Sequence, residues 1–155
     1  MRRYGERIGL KRGFMIFDDA DQLSLVKQAL KDESLPETSF PARGMLSRIS
    51  DAKSRLVSPE SMSEHADGFF EERLARVYKR YGQLLRRASG VDFDDLIGGA
   101  VEVLKTDREV RSRVRSRCHY LLVDEFQDTN HAQLSLVREL AGADGNLTAV
   151  GDEDQ

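Results

Sequence analysis

Cysteine occurs once in this chain, at Cys118, so no internal disulfide and no cysteine-cluster metal site can form within it. That scarcity fits a reducing compartment. No stretch approaches the roughly 18 consecutive apolar residues of a membrane span. The basic opening "MRRYGERIGLKRGF" leads into no apolar run of the kind that follows the charged start of an export signal, so a cytoplasmic location is expected. Internal repeats and low-complexity segments are absent as well. What is present is a chain of 155 residues, 39% of them hydrophobic, enough to supply a core for one ordinary domain or two partial ones.

The net charge of −3 conceals an asymmetry. Residues 118–155 hold one base, Arg138, against eight acids, a balance of −7 that leaves +4 for residues 1–117. Eighteen of the 24 bases are arginine, the side chain suited to forked contacts with phosphate. The split suggests a basic face for a polyanion and an acidic pocket for a cation, although solvated charged faces produce the same pattern.

Residues 1–118 read as successive helices. "DDADQLSLVKQALKD" sets Leu23, Val26 and Leu30 on one face, with Asp18 or Asp19 as a cap. Pro36 and Pro41 interrupt the next stretch. "RGMLSRISDAKSRLVSPES" aligns Met45, Leu46, Ile49, Ala52 and Leu56, after which Ser58 and Pro59 open another helix. From Phe69 to Arg87 runs a long stripe of Phe70, Leu74, Val77, Tyr78, Tyr81, Leu84 and Leu85. In "GVDFDDLIGGAVEVLK", Phe93, Leu96, Ile97, Ala100, Val101 and Leu104 keep helical spacing. Asp92, Asp94 and Asp95 crowd its first turn, where capping and the helix dipole favour acids; a metal cluster is the alternative.

After the basic helix "REVRSRVRSR" the pattern changes. "HYLLVDE" reads as a short buried strand, "TNHAQLSLVRELAG" as an amphipathic helix stopped by Gly142, and "NLTAV" as a second strand opening into "GDEDQ". Strand, helix, strand is the unit of a parallel sheet, and such sheets bind ligands at the carboxyl ends of their strands. Asp124 and Glu125 occupy that position. Two ionised carboxylates about 4 Å apart repel by roughly 4 kcal/mol at an effective dielectric of 20, which is tolerable when a cation is their intended neighbour. Mg²⁺ takes one or two carboxylates together with waters and substrate phosphates, and in phosphate-loop nucleotide hydrolases an Asp at such a strand end holds it. The neighbouring Glu can then polarise water. Gln155, in the second acid-rich loop, both donates and accepts hydrogen bonds and could sense a terminal phosphate.

"LLVDEFQDTN" followed by "LTAVGDEDQ" closely resembles motifs II and III of the superfamily 1 DNA helicases of the UvrD/PcrA/Rep family. "RRYGERIGLKRGFMIFDDADQLSLVKQALK", "LSRISDAKSRLVSP" and "VDFDDLI" are similar to that family's helical 1B subdomain and its return into the first RecA-like domain, so the resemblance covers essentially the whole chain. It implies an α/β fold: a mostly helical 1B-like subdomain over residues 1–118, then a partial RecA-like 1A domain of the P-loop NTPase type over 119–155, carrying the Walker B strand and motif III. It further implies ATP and Mg²⁺ as cofactors, with Asp124 contributing to the metal site, Glu125 activating the hydrolytic water, and Gln155 contacting the γ-phosphate and coupling nucleotide state to DNA. The partners implied are ATP and DNA, single-stranded and at a duplex junction, and the activity is ATP-dependent 3′–5′ unwinding in repair or replication restart. Asp128, Thr129 and Asn130 are expected to start the following helix.

The sequence contains no Gly-Lys pair, hence no Walker A loop. The expectation is therefore an internal segment of a helicase that hydrolyses no ATP by itself. Three other readings stay open: a non-enzymatic helical module binding DNA or a protein, the helicase subunit of a recombination helicase-nuclease, and a metal-dependent nuclease built from Asp92, Asp94, Asp95, Asp124 and Glu125.

Overall fold

In the computed structural model, which describes residues 1–142 and 145–152, side-chain oxygens start most of the helices. Asp18 accepts from the Asp21 N–H at 2.9 Å and opens α1 (Asp19–Asp32). Ser58 accepts from the Ser61 N–H and, with Pro59 at the first helical position, opens α3 (Pro59–Glu64). α5 (Phe93–Thr106) begins with a reciprocal box in which Asp92 accepts from the Asp95 N–H and Asp95 from the Asp92 N–H. Asp107 caps α6 (Arg108–Arg115), and Asn130 with Gln133 forms a second box at the start of α7 (His131–Ala141). Each such cap contributes about 1 kcal/mol by pairing amides that the helix itself leaves unpaired. α2 (Ala42–Ser54) and α4 (Phe69–Arg87) start without one, behind Pro41 and Gly68.

The core lies where α1, α2 and α4 converge. Val26, Ala29 and Leu30 of α1, Met45 and Ile49 of α2, and Leu74, Val77, Tyr81 and Leu85 of α4 are all buried together, with Phe40 from the connecting loop. Apart from Ala29 and Phe40, these are residues that the apolar spacing selects. α5 packs against α2 and turns Val101, Val103 and Leu104 inward, while Phe93, at the head of its expected stripe, is exposed. α7 packs on α5 and α6. Arg115 fastens the last two: its Nε donates to the Glu139 carbonyl at 2.6 Å.

Four short strands complete the described residues, in two parallel pairs. β1 (Met15–Ile16) pairs with β2 (Gly90–Val91), Met15 opposite Gly90. Sequence periodicity does not reveal this pair, because two residues are too few to show alternation. Gly90 is required there by space: a Cβ would lie 2.2 Å from the Phe17 ring. β3 (Leu121–Val123) pairs with β4 (Leu147–Ala149) in the register Leu121–Leu147, Leu122–Thr148, Val123–Ala149. The architecture is mostly helical with two small parallel sheets, consistent with an α/β fold. Among the described residues no helix is long and apolar enough to cross a membrane.

The expected burial of β3 is not observed. Leu122 is 78% exposed and Tyr120 80%. The reason is geometric: β4 is its one strand neighbour among the described residues, and α7 spends its buried face on α5 and α6 instead of on this sheet.

Candidate functional site

Parallel pairing makes the chain leave β3 and β4 at the same end. The ladder extends past both strands, with the Val150 N–H donating to the Val123 carbonyl at 2.8 Å and the Phe126 N–H to the Val150 carbonyl at 2.9 Å. Asp124 and Glu125 therefore stand beside Gly151 and Asp152, in one polar site built from two strand ends. Both acids are exposed. Asp124 Oδ1 accepts from the Glu125 N–H at 3.0 Å, which fixes the first carboxylate against the backbone of the second. Glu125 itself sits at φ 50°, ψ 46°, in the left-handed region that a residue bearing a Cβ visits at a cost of about 1 kcal/mol or more. That strain turns the chain sharply into the 3₁₀ turn Phe126–Asp128, where Gln127 donates from Nε2 to Glu125 Oε2 at 2.6 Å.

The residue types at this site suit Mg²⁺ better than a cation that needs a protein cage. Among the described residues no three His, Cys, Asp or Glu side chains gather into a metal site. Mg²⁺ does not require that many, because it retains waters and borrows phosphate oxygens from its substrate. Gln155 lies outside the described residues; Asp124 and Glu125, neighbours in sequence, follow β3 directly. Asp128 and Thr129 shape the turn through backbone hydrogen bonds, and Asn130 is the helix cap.

A different fate meets the other acidic group. Asp92, 2% exposed, accepts from Lys53 Nζ at 2.5 Å and from the Tyr81 hydroxyl at 2.8 Å. Lys53 also reaches Asp95 at 2.7 Å, and Asp94 accepts from the Ser50 hydroxyl at 2.6 Å. Burial raises the Asp95 carboxyl above its ordinary value, with Lys53 pulling the other way. Burial, reinforced by the Asp92 charge, also drives the Tyr81 hydroxyl strongly upward, so it stays a donor. Asp92 and Asp95 are a helix cap and ion-pair partners inside the fold, and Asp94 is a hydrogen-bond acceptor for Ser50. The metal-cluster reading of Asp92, Asp94 and Asp95, and with it the nuclease built on them, has no support in this geometry. Lys53 escaped the sequence reading, though its position four residues after Ile49 places it on the inward side of α2.

Several bases are likewise committed to acids of the chain. Arg76 pairs with Glu33 at 2.5 Å and Arg80 with Asp32 at 2.6 Å, joining α4 to the end of α1. Hydrogen bonds from Gln28 and then Arg80 hold the Asp32 carboxyl below its ordinary value. Arg43, Arg86, Arg108 and Arg117 are exposed and form no ion pair among the described residues.

Known proteins match the chain along its whole length. The family model described as the UvrD/REP helicase N-terminal domain matches residues 1–155. The ATP-dependent DNA helicase PcrA of Bacillus subtilis (strain 168) is 41% identical over 155 residues, which is 100% of this chain and 21% of the relative. The protein of the same name from Leuconostoc citreum is 40% identical, and that from Staphylococcus aureus (strain Mu50 / ATCC 700699) 38%, with the same coverage. The chain thus spans about a fifth of the length of these relatives. A match along its whole length to the N-terminal domain model places the chain in the UvrD/REP helicase family.

Proposed function

We propose that this chain is the 1B-like helical subdomain, residues 1–118, and part of a RecA-like 1A domain, residues 119–155, of a longer ATP-dependent DNA helicase moving 3′ to 5′. The observation that carries the reading is the parallel pairing of β3 and β4, which sets an exposed Asp-Glu pair beside the loop entered by Gly151. In this reading Asp124 holds Mg²⁺, Glu125 takes a proton from the attacking water, and Gln155 contacts the γ-phosphate. A bound Mg²⁺ would supply charge neutralisation at the phosphates. The chain's own contribution is orientation: the left-handed turn at Glu125 and the Asp124 hydrogen bond fix where the two carboxylates stand.

The helical part contributes bases for a phosphate backbone. Arg43, Arg86, Arg108 and Arg117, free of internal ion pairs among the described residues, are better candidates than Arg76 or Arg80. Phosphate contacts of this kind give affinity and salt dependence with little sequence preference. Alone, the 155-residue chain is expected to turn over no ATP, because it has no Gly-Lys loop to cradle the phosphates.

The experiment is DNA-stimulated ATP hydrolysis by the longer polypeptide carrying these residues. Glu125→Gln is expected to lower kcat by roughly 10²-fold or more, with the KM for ATP little changed. Turnover that survives this substitution would remove Glu125 from the mechanism. Strand cleavage that needs Mg²⁺ and no ATP would favour a nuclease instead.

A further inference from the structure

Gln127 carries no role in the sequence reading, yet its side chain spans both strand ends. Nε2 donates to Glu125 Oε2 at 2.6 Å, and Oε1 accepts from the Asp152 N–H at 3.0 Å. The turn that bears it is itself fastened to the end of β4 through the Phe126 N–H and the Val150 carbonyl, 2.9 Å apart. Gly151 passes so close that a Cβ there would stand 2.7 Å from Gln127 Oε1. The Gln127 amide therefore joins the loop after β4 to the carboxylate after β3.

An amide is matched to both of these bonds. It donates with one end and accepts with the other while remaining neutral. A carboxylate at 127 would still accept from Asp152 but would repel Glu125. An ammonium there would bind Glu125 tightly, offer nothing to the Asp152 N–H, and by stabilising the ionised carboxylate weaken it as a base. An exposed glutamate otherwise samples several rotamers, and a hydrogen bond to an ionised group is strong enough to hold one of them.

From this geometry we infer that Gln127 is a positioning residue: it sets the orientation of Glu125 according to where the loop at Asp152 stands. Movement of the second loop then re-aims the first carboxylate, and a displacement of about 1 Å is enough to alter a rate by about a hundredfold when a reacting group depends on it. The inference rests on the proposed hydrolytic role of Glu125.

Two substitutions separate the two bonds. Gln127→Ala removes both; Gln127→Glu is isosteric, keeps the acceptor for Asp152 and loses the donor to Glu125. In the longer polypeptide, both are expected to lower DNA-stimulated kcat by about 10- to 100-fold while the KM for ATP stays within about threefold. In the 155-residue chain, exchange of the Asp152 amide is expected to quicken about tenfold in Gln127→Ala and to stay slow in Gln127→Glu. A kcat within twofold of the parent in both variants, or Asp152 exchange unmoved in Gln127→Ala, would overturn the inference. If Gln127→Ala does not fold, Gln127→Glu decides by its kcat alone. Glu125→Gln, measured alongside, separates the two levels: full turnover in that variant defeats the hydrolytic reading, whereas lost turnover there with normal turnover at Gln127 defeats only the bridge.

Discussion

The two acidic groups of this chain, Asp92 with Asp95 and Asp124 with Glu125, start from similar chemistry and end in opposite states. In the first, two carboxylates share the ammonium of Lys53, and Asp92 adds the Tyr81 hydroxyl beneath the helical core. In the second, both carboxylates are exposed and are held by a backbone amide and a neutral side chain. The difference teaches how to tell structural acids from available ones. A carboxylate with an internal cation and full hydrogen bonding has its charge spent on the fold, while a pair left without a cation among the described residues can take one from outside. Proximity of acids in sequence does not distinguish the cases; the location of the nearest base does.

Breaking the first group should produce the larger loss of stability. Lys53→Met leaves Asp92 buried without its cation, and unfolding in urea is expected to show a loss of about 3–5 kcal/mol. Gly90→Ala comes next, since its methyl would overlap the Phe17 ring, with about 1–3 kcal/mol expected in the same measurement. At the other end of the scale stands Asp124→Asn, which removes one of two exposed like charges; stability within about 0.5 kcal/mol of the parent is expected. A large loss there would mean that the strand-end acids also hold the fold together and that the contrast is false.

Acidity sharpens the same comparison. Because the folded protein raises the Asp95 carboxyl above its ordinary 3.8, the native state binds a proton more readily than the unfolded chain. Asp95 therefore favours the fold below pH 3.8, and that contribution is lost as pH rises through its folded value. Asp32 has the opposite sign: its lowered carboxyl stabilises above 3.8, and the contribution disappears as pH falls through the folded value. Asp95→Asn should abolish the decline in stability above pH 3.8 in a pH series of thermal melts, leaving the acid-side loss in place.

Much of the helical body was legible because its signals are local or periodic. Ser58, Asp18 and the Asp92 box announce helix starts within three residues, and the α4 stripe from Leu74 to Leu85 is one face at constant spacing. The parallel pairing of β3 and β4 followed from strand, helix, strand order. What escaped depends on contacts between distant residues. Lys53 meets Asp92 across 39 positions, and the β1–β2 pair joins residues 75 apart in two-residue strands. The exposure of Leu122 could not be read from four apolar residues in a row, because such a run reports a preference for burial and not whether a neighbour is at hand to supply it. Gln127 was hidden for another reason: among the described residues it bonds one group two residues away and another 25 residues away, and no single spacing contains both.

The central claim, that the β3–β4 strand ends and not the α5 cap hold the available carboxylates, can be measured directly on this chain. Mn²⁺, an oxygen-seeking stand-in for Mg²⁺, broadens the amide signals of residues close to it in an NMR titration. Broadening centred on Asp124 and Glu125, lost in Asp124→Asn, with Asp92, Asp94 and Asp95 untouched, is the predicted result. Broadening centred on the α5 acids, or equal at both groups, would contradict it.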